Sequence, residues 1–541
     1  MTSAARELPD DVDALRALAL HQQTELDAQS DVLAERARRI DEQAAQIRQL
    51  EEYVRLLRHQ RFGRTSEKAS REQLGLFNEA EVAADAAEKE DAQGGVEVAA
   101  HTRSPRGRRP LPSFLPRVEI VHDLPEAEKV CAADGTALVR IGEEVCEQVE
   151  IIPATIRVLR HVRPKYACST CHAGVHVAPL PPQPIPKSLA SPALLAHVAV
   201  SKYADGLPLY RQETILGRIG IELPRATLAS WMVRAGELVQ PLVNLLRDEL
   251  LAGGLAQCDE TPFQVLKEPG KPATSLSYLW AQRSLARDAP VVLFDYDPSR
   301  SGRVPERLFE GFEGVLQSDG YEGYTAVGQR PGIVHVGCWA HARRKFDEAL
   351  KGLRGAERKA TSRKESVALQ GLGWIQKLYA IERTAKEATP EERHHIRQER
   401  SRPVLAALRR WLDDALPRVA PQTLTGKALT YLDHQWPKLV RIFDDGRIPL
   451  DTNLVENAIR PFVVGRKNWL FADTARGAHA SANLYSVIET AKANGLEPYA
   501  YLRLIFTALP RAETLVDFEA LLPRNLSPSD LHDLRQTHPT A

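Results

Sequence analysis

GLAQCDETPFQVL, residues 254–266, is the stretch on which the fold turns. It reads as a strand, with Asp259 following its apolar part. Working outward, SLSYLWAQRS (275–284), PVVLFDYD (290–297), GVLQSDGY (314–321) and GIVHVGCWAHARRKF (332–346) read as four more strands, the last running into a helix. Asp319 follows the apolar part of the fourth strand. Carboxylates at neighbouring strand ends converge at one edge of a sheet. Much later, Glu456 falls in a predicted helix, with Asn453, Asn457 and Arg460 around it.

Each acid alone has a plain structural reading. Asp259 can cap a strand-to-turn transition, and Asp319 sits in Ser-Asp-Gly, an ordinary turn sequence. Glu456 can close a capping box opened by Asn453. Taken together, three hard oxygen donors can hold two Mg²⁺ or Mn²⁺ ions. Such a pair clamps the attacking and leaving oxygens of an in-line phosphoryl displacement, with no covalent enzyme intermediate. The order strand-Asp, strand-Asp, helix-Glu describes a ribonuclease-H-like nuclease core. The gap from 319 to 456 is too long for a minimal core, and residues 346–445, charged and helical in pattern, read as an insertion.

The chain has 541 residues, a soft prior of three or four domains at about 150 residues each. With 43% hydrophobic and 26% charged residues it is ordinary globular material, which excludes wholesale disorder and collagen. Lys+Arg and Asp+Glu both number 71, so no overall charge drives it onto nucleic acid; only local patches can. Six cysteines are too few for a disulfide framework. The N-terminus lacks signal-peptide order and no stretch has about 18 uninterrupted apolar residues, so the expectation is a cytoplasmic protein with reduced thiols.

Residues ahead of the core have distinct characters. Val12, Ala19, Leu26, Leu33, Ile40, Ile47 and Val54 fall seven apart. The companion series Leu15, Gln22, Gln29, Arg36, Gln43, Leu50 and Leu57 is apolar only at its ends. This heptad period predicts a homo-oligomeric coiled coil, the alternative being an amphipathic helix folded on its own chain. Residues 79–97 carry seven acids and one lysine and read as a linker; Arg103, Arg106, Arg108, Arg109 and Arg117 follow without an acid between them.

VCEQVEII (145–152) and TIRVLRHVRPKYAC (155–168) predict a small β-rich module. Cys168 and Cys171 form a Cys-x-x-Cys, but the upstream partner is Cys131-Ala-Ala-Asp134. A Zn²⁺ site there would use Cys131, Asp134, Cys168 and Cys171, with His172 or Cys146 as substitutes for the aspartate; the other reading is a metal-free module. Three helices are then predicted in SPALLAHVAVSKYA (191–204), LPLYRQETILGRIG (207–220) and PRATLASWMVRAGELV (224–239). The last two fit a helix-turn-helix, with Arg225, Thr227, Ser230 and Arg234 as its DNA-facing candidates; a plain helical bundle fits equally.

The sequence resembles the insertion-sequence-66 family of bacterial DDE transposases. The resemblance rests on RRPLPSFLPRVEIVHDLP (108–125), IGEEVCEQVEIIPATIRVLRHVRPKYAC (141–168), SKYADGLPLYRQE (201–213), CDETPFQVL (258–266), QSDGYEGY (317–324), CWAHARRKF (338–346) and the long block from Asn453 to Leu502. It implies a leucine-zipper-like segment, a zinc-binding module, a helix-turn-helix, and a catalytic core with an insertion. By motif match the metal-binding triad falls on Asp259, Asp319 and Glu456. It also implies companion proteins encoded by the same element. The Cys-Ala-Ala-Asp run departs from the family's first Cys-x-x-Cys.

The expected architecture is therefore multidomain α/β. It comprises a coiled coil (1–60), a linker (61–110), a zinc-type module (111–188), a helix-turn-helix region (189–245), a ribonuclease-H-like core (246–345 and 446–508), a helical insertion (346–445) and a C-terminal cap (509–541). Double-stranded DNA, as element ends and target, is the expected partner of a homo-oligomer at the nucleoid, away from membranes. Arg343, Arg344 and Lys345, with Arg460, Arg466 and Lys467, are candidates for the phosphodiester backbone. His341 can orient a phosphate or a carboxylate, or be structural. Trp469 can stack on an unpaired base or sit in the core. Two other readings stay open: a catalytically decayed DNA-binding regulator, and a structure-specific nuclease that cuts without joining.

Overall fold

A computed structural model describes residues 11–62, 156, 158–163, 165–167, 175–177, 179–286, 288–351 and 366–531. The chain divides into two units, one of residues 84–181 and one of the remainder. In the first, β1 (Lys165–Ala167) and β2 (Val175–Val177) pair antiparallel. The strand predicted over 155–168 is thus confined to its last residues. Val158 and Val162 are exposed and pair with no strand among the described residues, outside which VCEQVEII (145–152) lies.

In the other unit, α1 (Val12–Phe62) is one long helix. Leu26, Leu33, Ile40, Ile47 and Val54 along it are all exposed. The helices expected next are α2 (Pro192–Tyr203), α3 (Leu209–Arg218) and α4 (Arg225–Leu238), followed by α5 (Gln240–Ala252). Ser191 caps α2 by accepting from the Leu194 amide, with Pro192 at the first helical position, where its missing N–H costs nothing. Gly220, at φ +81°, makes the turn between α3 and α4.

The main sheet contains the five expected strands: β3 (Leu255–Lys267), β4 (Leu276–Ser284), β5 (Val292–Asp297), β6 (Gly314–Gln317) and β7 (Ile333–Val336). Their order is β5-β4-β3-β6-β7, antiparallel from β3 to β5 and parallel from β3 through β6 to β7. The helix α6 (Arg303–Leu308) lies in the crossover from β5 to β6. Gly314 holds φ +127°, and a Cβ there would lie 2.1 Å from the Gly254 carbonyl oxygen. Only glycine lets β6 begin this close beside β3.

After β7 comes α7 (Trp339–Lys351). The insertion supplies α8 (Val367–Thr384), α9 (Pro390–Ile396), α10 (Arg402–Ala415) and α11 (Leu424–Val440). The chain then forms α12 (Asn453–Trp469), a short strand β8 (Ala472–Thr474), α13 (Ala475–Ala493) and α14 (Pro498–Ala508). The strand β8 was not expected from sequence; it pairs with the far end of β3, Val265 against Ala472. Three residues carry too little periodicity to read as a strand in isolation.

Two hydrophobic clusters result. One joins the sheet to α2–α5 and α12–α14, so residues 189–245 share the core of the sheet. Gly236 of α4 is why α13 fits: a Cβ there would lie 2.5 Å from the Ala480 Cα. Arg225, Ser230 and Arg234 remain exposed on the opposite face. The second cluster joins Val336 and Trp339 to the insertion helices. Its central polar tie is Arg397, fully buried, which donates to Glu382 and to the carbonyls of Ile442, Asp445 and Ile448.

Candidate active site

The parallel register of β3 and β6 sets Gln257 opposite Gln317. Asp259 and Asp319 each lie two residues further on, so the register carries both acids past the same edge of the ladder. Asp259 is not at a strand end, as its sequence suggested. It sits within β3, opposite Ala281 of β4, and the strand continues to Lys267. The capping reading for Asp259 is thereby removed. Asp319 does play its turn role, accepting from the Tyr321 amide at 2.9 Å, and it stays half-buried.

The two glutamines form a buried amide relay. Gln257 Nε2 donates to Gln317 Oε1 at 2.8 Å and to the Asp451 carbonyl at 2.9 Å; its Oε1 accepts from the Val455 amide at 3.1 Å. Gln317 Nε2 donates to the carbonyls of Gly337 and Pro449 at 3.0 and 2.9 Å. Both strands are thus tied to the segment that leads into α12, whose first turn carries Glu456. Sequence reasoning missed this relay. The signal was the repeat of Gln-x-Asp in both strands, AQCDE and LQSDG.

Glu456 is buried. It does not close a capping box: Thr452 makes no side-chain cap and instead donates to Glu456 Oε1 at 3.0 Å. His341 Nδ1 lies 3.8 Å from Oε1 and Arg344 Nη2 lies 3.5 Å from Oε2. Burial opposes a charged His341, but Cys338, Glu456 and Asp319 outweigh it and push the imidazole up to about 10.

The Asp259 carboxyl is held well above its usual range, first by burial and then by the charges of Glu260, Glu456 and Asp319. Next to it, Glu260 accepts from Arg300 and from the Tyr324 hydroxyl; burial and Asp319 raise it to about 7. Asp319 also acts on Lys438 of the insertion, whose ammonium is otherwise disfavoured by burial. This crowding of carboxylates is what a cation site requires, and hard oxygen donors fit Mg²⁺ or Mn²⁺.

The remaining candidates separate. Arg343 is exposed on α7, whereas Arg344 is buried against Glu456. Arg466 donates to the Pro262 carbonyl and, at 3.4 Å, to Thr261 Oγ1, so it ties α12 to β3. Arg460 is half-buried and Lys467 exposed. Trp469 packs edge-on against Phe263 and Phe462 and carries Lys202 over its ring at 4.8 Å. Cys131, Asp134, Cys146, Cys168, Cys171 and His172 lie outside the described residues. Among those described, no helix is long and apolar enough to cross a membrane.

Family models match along the chain. "Transposase IS66 family" covers residues 187–480, "zinc-finger binding domain of transposase IS66" 128–172, "Transposase C of IS166 homeodomain" 49–120 and "IS66 C-terminal element" 486–523. The uncharacterized protein y4qI of Sinorhizobium fredii (strain NBRC 101917 / NGR234) is 32% identical over 556 residues, 98% of this chain and 99% of that protein. The uncharacterized protein y4jD of the same organism is 36% identical over 427 residues, 77% of this chain and 81% of that protein. No solved structure matches. With the family's model spanning residues 187–480 and a relative aligned along almost the whole length, the chain belongs to the IS66 family of transposases.

Proposed function

We propose that this protein is a DDE transposase whose Asp259, Asp319 and Glu456 carboxylates hold two Mg²⁺ or Mn²⁺ ions. The observation that supports the reading is the Gln257–Gln317 register, with each aspartate two residues beyond its glutamine, together with the charges of Glu456 and Asp319 acting on Asp259. The strand order β5-β4-β3-β6-β7, antiparallel then parallel, supports a ribonuclease-H-like core over 246–345 and 446–508, interrupted by the insertion at 346–445. When bound, the ions supply charge neutralisation and an activated nucleophile for in-line displacement.

The chain's own groups do the rest. The amide relay fixes the two strands against α12. Thr452 orients Glu456, and Arg344 balances its charge. Lys438, Arg343 and Arg460 offer positive charge towards the phosphodiester backbone, and the exposed Arg225 and Arg234 of α4 suit contact with duplex DNA at element ends. Lys467 joins that set, while Arg466 acts through its tie to β3. Water first attacks a phosphodiester, breaking the P–O3′ bond and leaving a 3′-OH and a 5′-phosphate. That 3′-OH then attacks a target phosphodiester, releasing a 3′-OH from the target.

The exposed seven-residue repeat on α1 supports self-association through a coiled coil. A structural Zn²⁺ on Cys131, Asp134, Cys168 and Cys171 belongs to the same reading, as do companion proteins of the element and a cytoplasmic, nucleoid-associated location. The test is cleavage and joining of cognate ends with Mg²⁺. Asp259→Asn and Asp319→Asn should each lose both reactions and keep end binding, the asparagine at 319 preserving the turn's acceptor. Full activity in either variant overturns the proposal. Ends bound by the wild type but never cut would identify a decayed regulator, and cleavage with no joined product from a precut end a nuclease.

A further inference from the structure

Cys338 and His341 stand as Cys-x-x-His at the start of α7, and Glu456 faces them from α12. One ligand atom from each of the three lies within 4.8 Å of the others. Cys338 and His341 have no ligand role in the two-ion reading, and a mixed sulfur, nitrogen and oxygen set is not what a magnesium site uses. From this geometry we propose a second metal site, for a borderline-soft divalent ion of the zinc class, formed by Cys338 Sγ, His341 Nδ1 and Glu456 Oε1.

The distances fit. Tetrahedral zinc with Zn–N and Zn–O bonds of about 2.0–2.2 Å and Zn–S of about 2.3 Å spaces its ligand atoms about 3.4–3.6 Å apart. His341 Nδ1 and Glu456 Oε1 are already 3.8 Å apart. Nδ1 is buried and has no hydrogen-bond partner among the described residues, an unmet polar atom that a metal bond would satisfy. Cys338 is 1% exposed, which keeps competing ligands from its sulfur.

A set of supporting donors is also in place. The Thr452 backbone amide lies 3.4 Å from Cys338 Sγ, and its hydroxyl lies 3.3 Å from the same sulfur and 3.0 Å from Glu456 Oε1. Amide and hydroxyl donors of this kind hold thiolate and carboxylate ligands in orientation around a metal. On binding, the ion takes the place of the thiol and imidazole protons, which pass to solvent. Three protein ligands leave a fourth position for water. The ion takes Glu456 by Oε1 and leaves Oε2, 3.5 Å from Arg344 Nη2, for the ion pair proposed above.

The site shares Glu456 with the proposed catalytic centre, and its test reads binding alone so that the two fail separately. Full-length protein is stripped of metal under reducing conditions and titrated with Co²⁺, whose visible absorption reports tetrahedral thiolate coordination. The zinc-finger segment contributes to the wild-type spectrum, so Cys338→Ser and His341→Gln are titrated beside it. Each variant should take up one Co²⁺ fewer per chain, and Cys338→Ser should lose part of the sulfur-to-cobalt charge-transfer band. The His341 substitution leaves the buried sulfur in place and covers the case in which Cys338→Ser does not fold. Wild-type stoichiometry and spectrum in a folded variant overturn the site. Loss of Mg²⁺-dependent cleavage has no bearing on it.

Discussion

The amide relay between β3, β6 and the approach to α12 gives the most exacting prediction. Gln317→Met keeps the side-chain volume and removes two donated bonds, to Gly337 and Pro449, plus the acceptor for Gln257. Gln257→Met removes the bonds to Asp451 and Val455 and the same shared contact. At about 1 kcal/mol per neutral hydrogen bond, three bonds amount to about 3 kcal/mol, and the buried carbonyls left unpaired add to it. In a unit of this size that is a fall in melting midpoint of about 3 °C. Because the Gln257–Gln317 bond is lost in both single variants, the double variant should cost less than their sum by about 1 kcal/mol. Thermal unfolding of the four proteins, without and with Mg²⁺, measures this. The rise in midpoint produced by Mg²⁺ should shrink in each single variant, because Glu456 loses its tether to the two strands. Single variants within about 0.5 kcal/mol of wild type, or strict additivity, would refute the relay.

Three further outcomes can be measured on the same protein. Glu260 has a folded-state value of about 7 against its ordinary 4.5, so the stability of its protonated form is present below 4.5 and lost as pH rises to about 7. Divalent-free protein should therefore melt higher at pH 5 than at pH 8, with a smaller difference in Glu260→Gln; an unchanged difference contradicts the assignment. Arg225→Ala with Arg234→Ala should lower the slope of log affinity against log salt by about two, with little change in melting, since both are exposed. Arg466→Met should instead lower the melting midpoint, because its guanidinium is committed to Pro262 and Thr261. A slope change without destabilisation would return Arg466 to the DNA-facing set.

Much of the framework was legible before any coordinates. The strands of the sheet, the three helices after residue 190 and the helical character of the insertion follow from local periodicity and from Pro192, Gly220 and the caps, which act within a few residues. What failed locally failed for a reason. The strand β8, missed in the sequence, exists because β3 extends far enough to pair with it. The plain reading of Glu456 failed because Thr452 turns to the carboxylate and to Cys338 rather than to the helix amides.

The sequence by itself determined which residues are able to carry charge, metal or backbone strain, because side-chain chemistry and short-range conformational preference belong to single residues and their near neighbours. Only the tertiary structure decided which of them meet. Parallel register between β3 and β6 aligned Gln257 with Gln317, the two glutamines drew in the segment before Glu456, and packing turned Arg344 and Arg466 inward while Arg343 stayed out. Those outcomes depend on contacts between residues far apart along the chain, which no local pattern encodes.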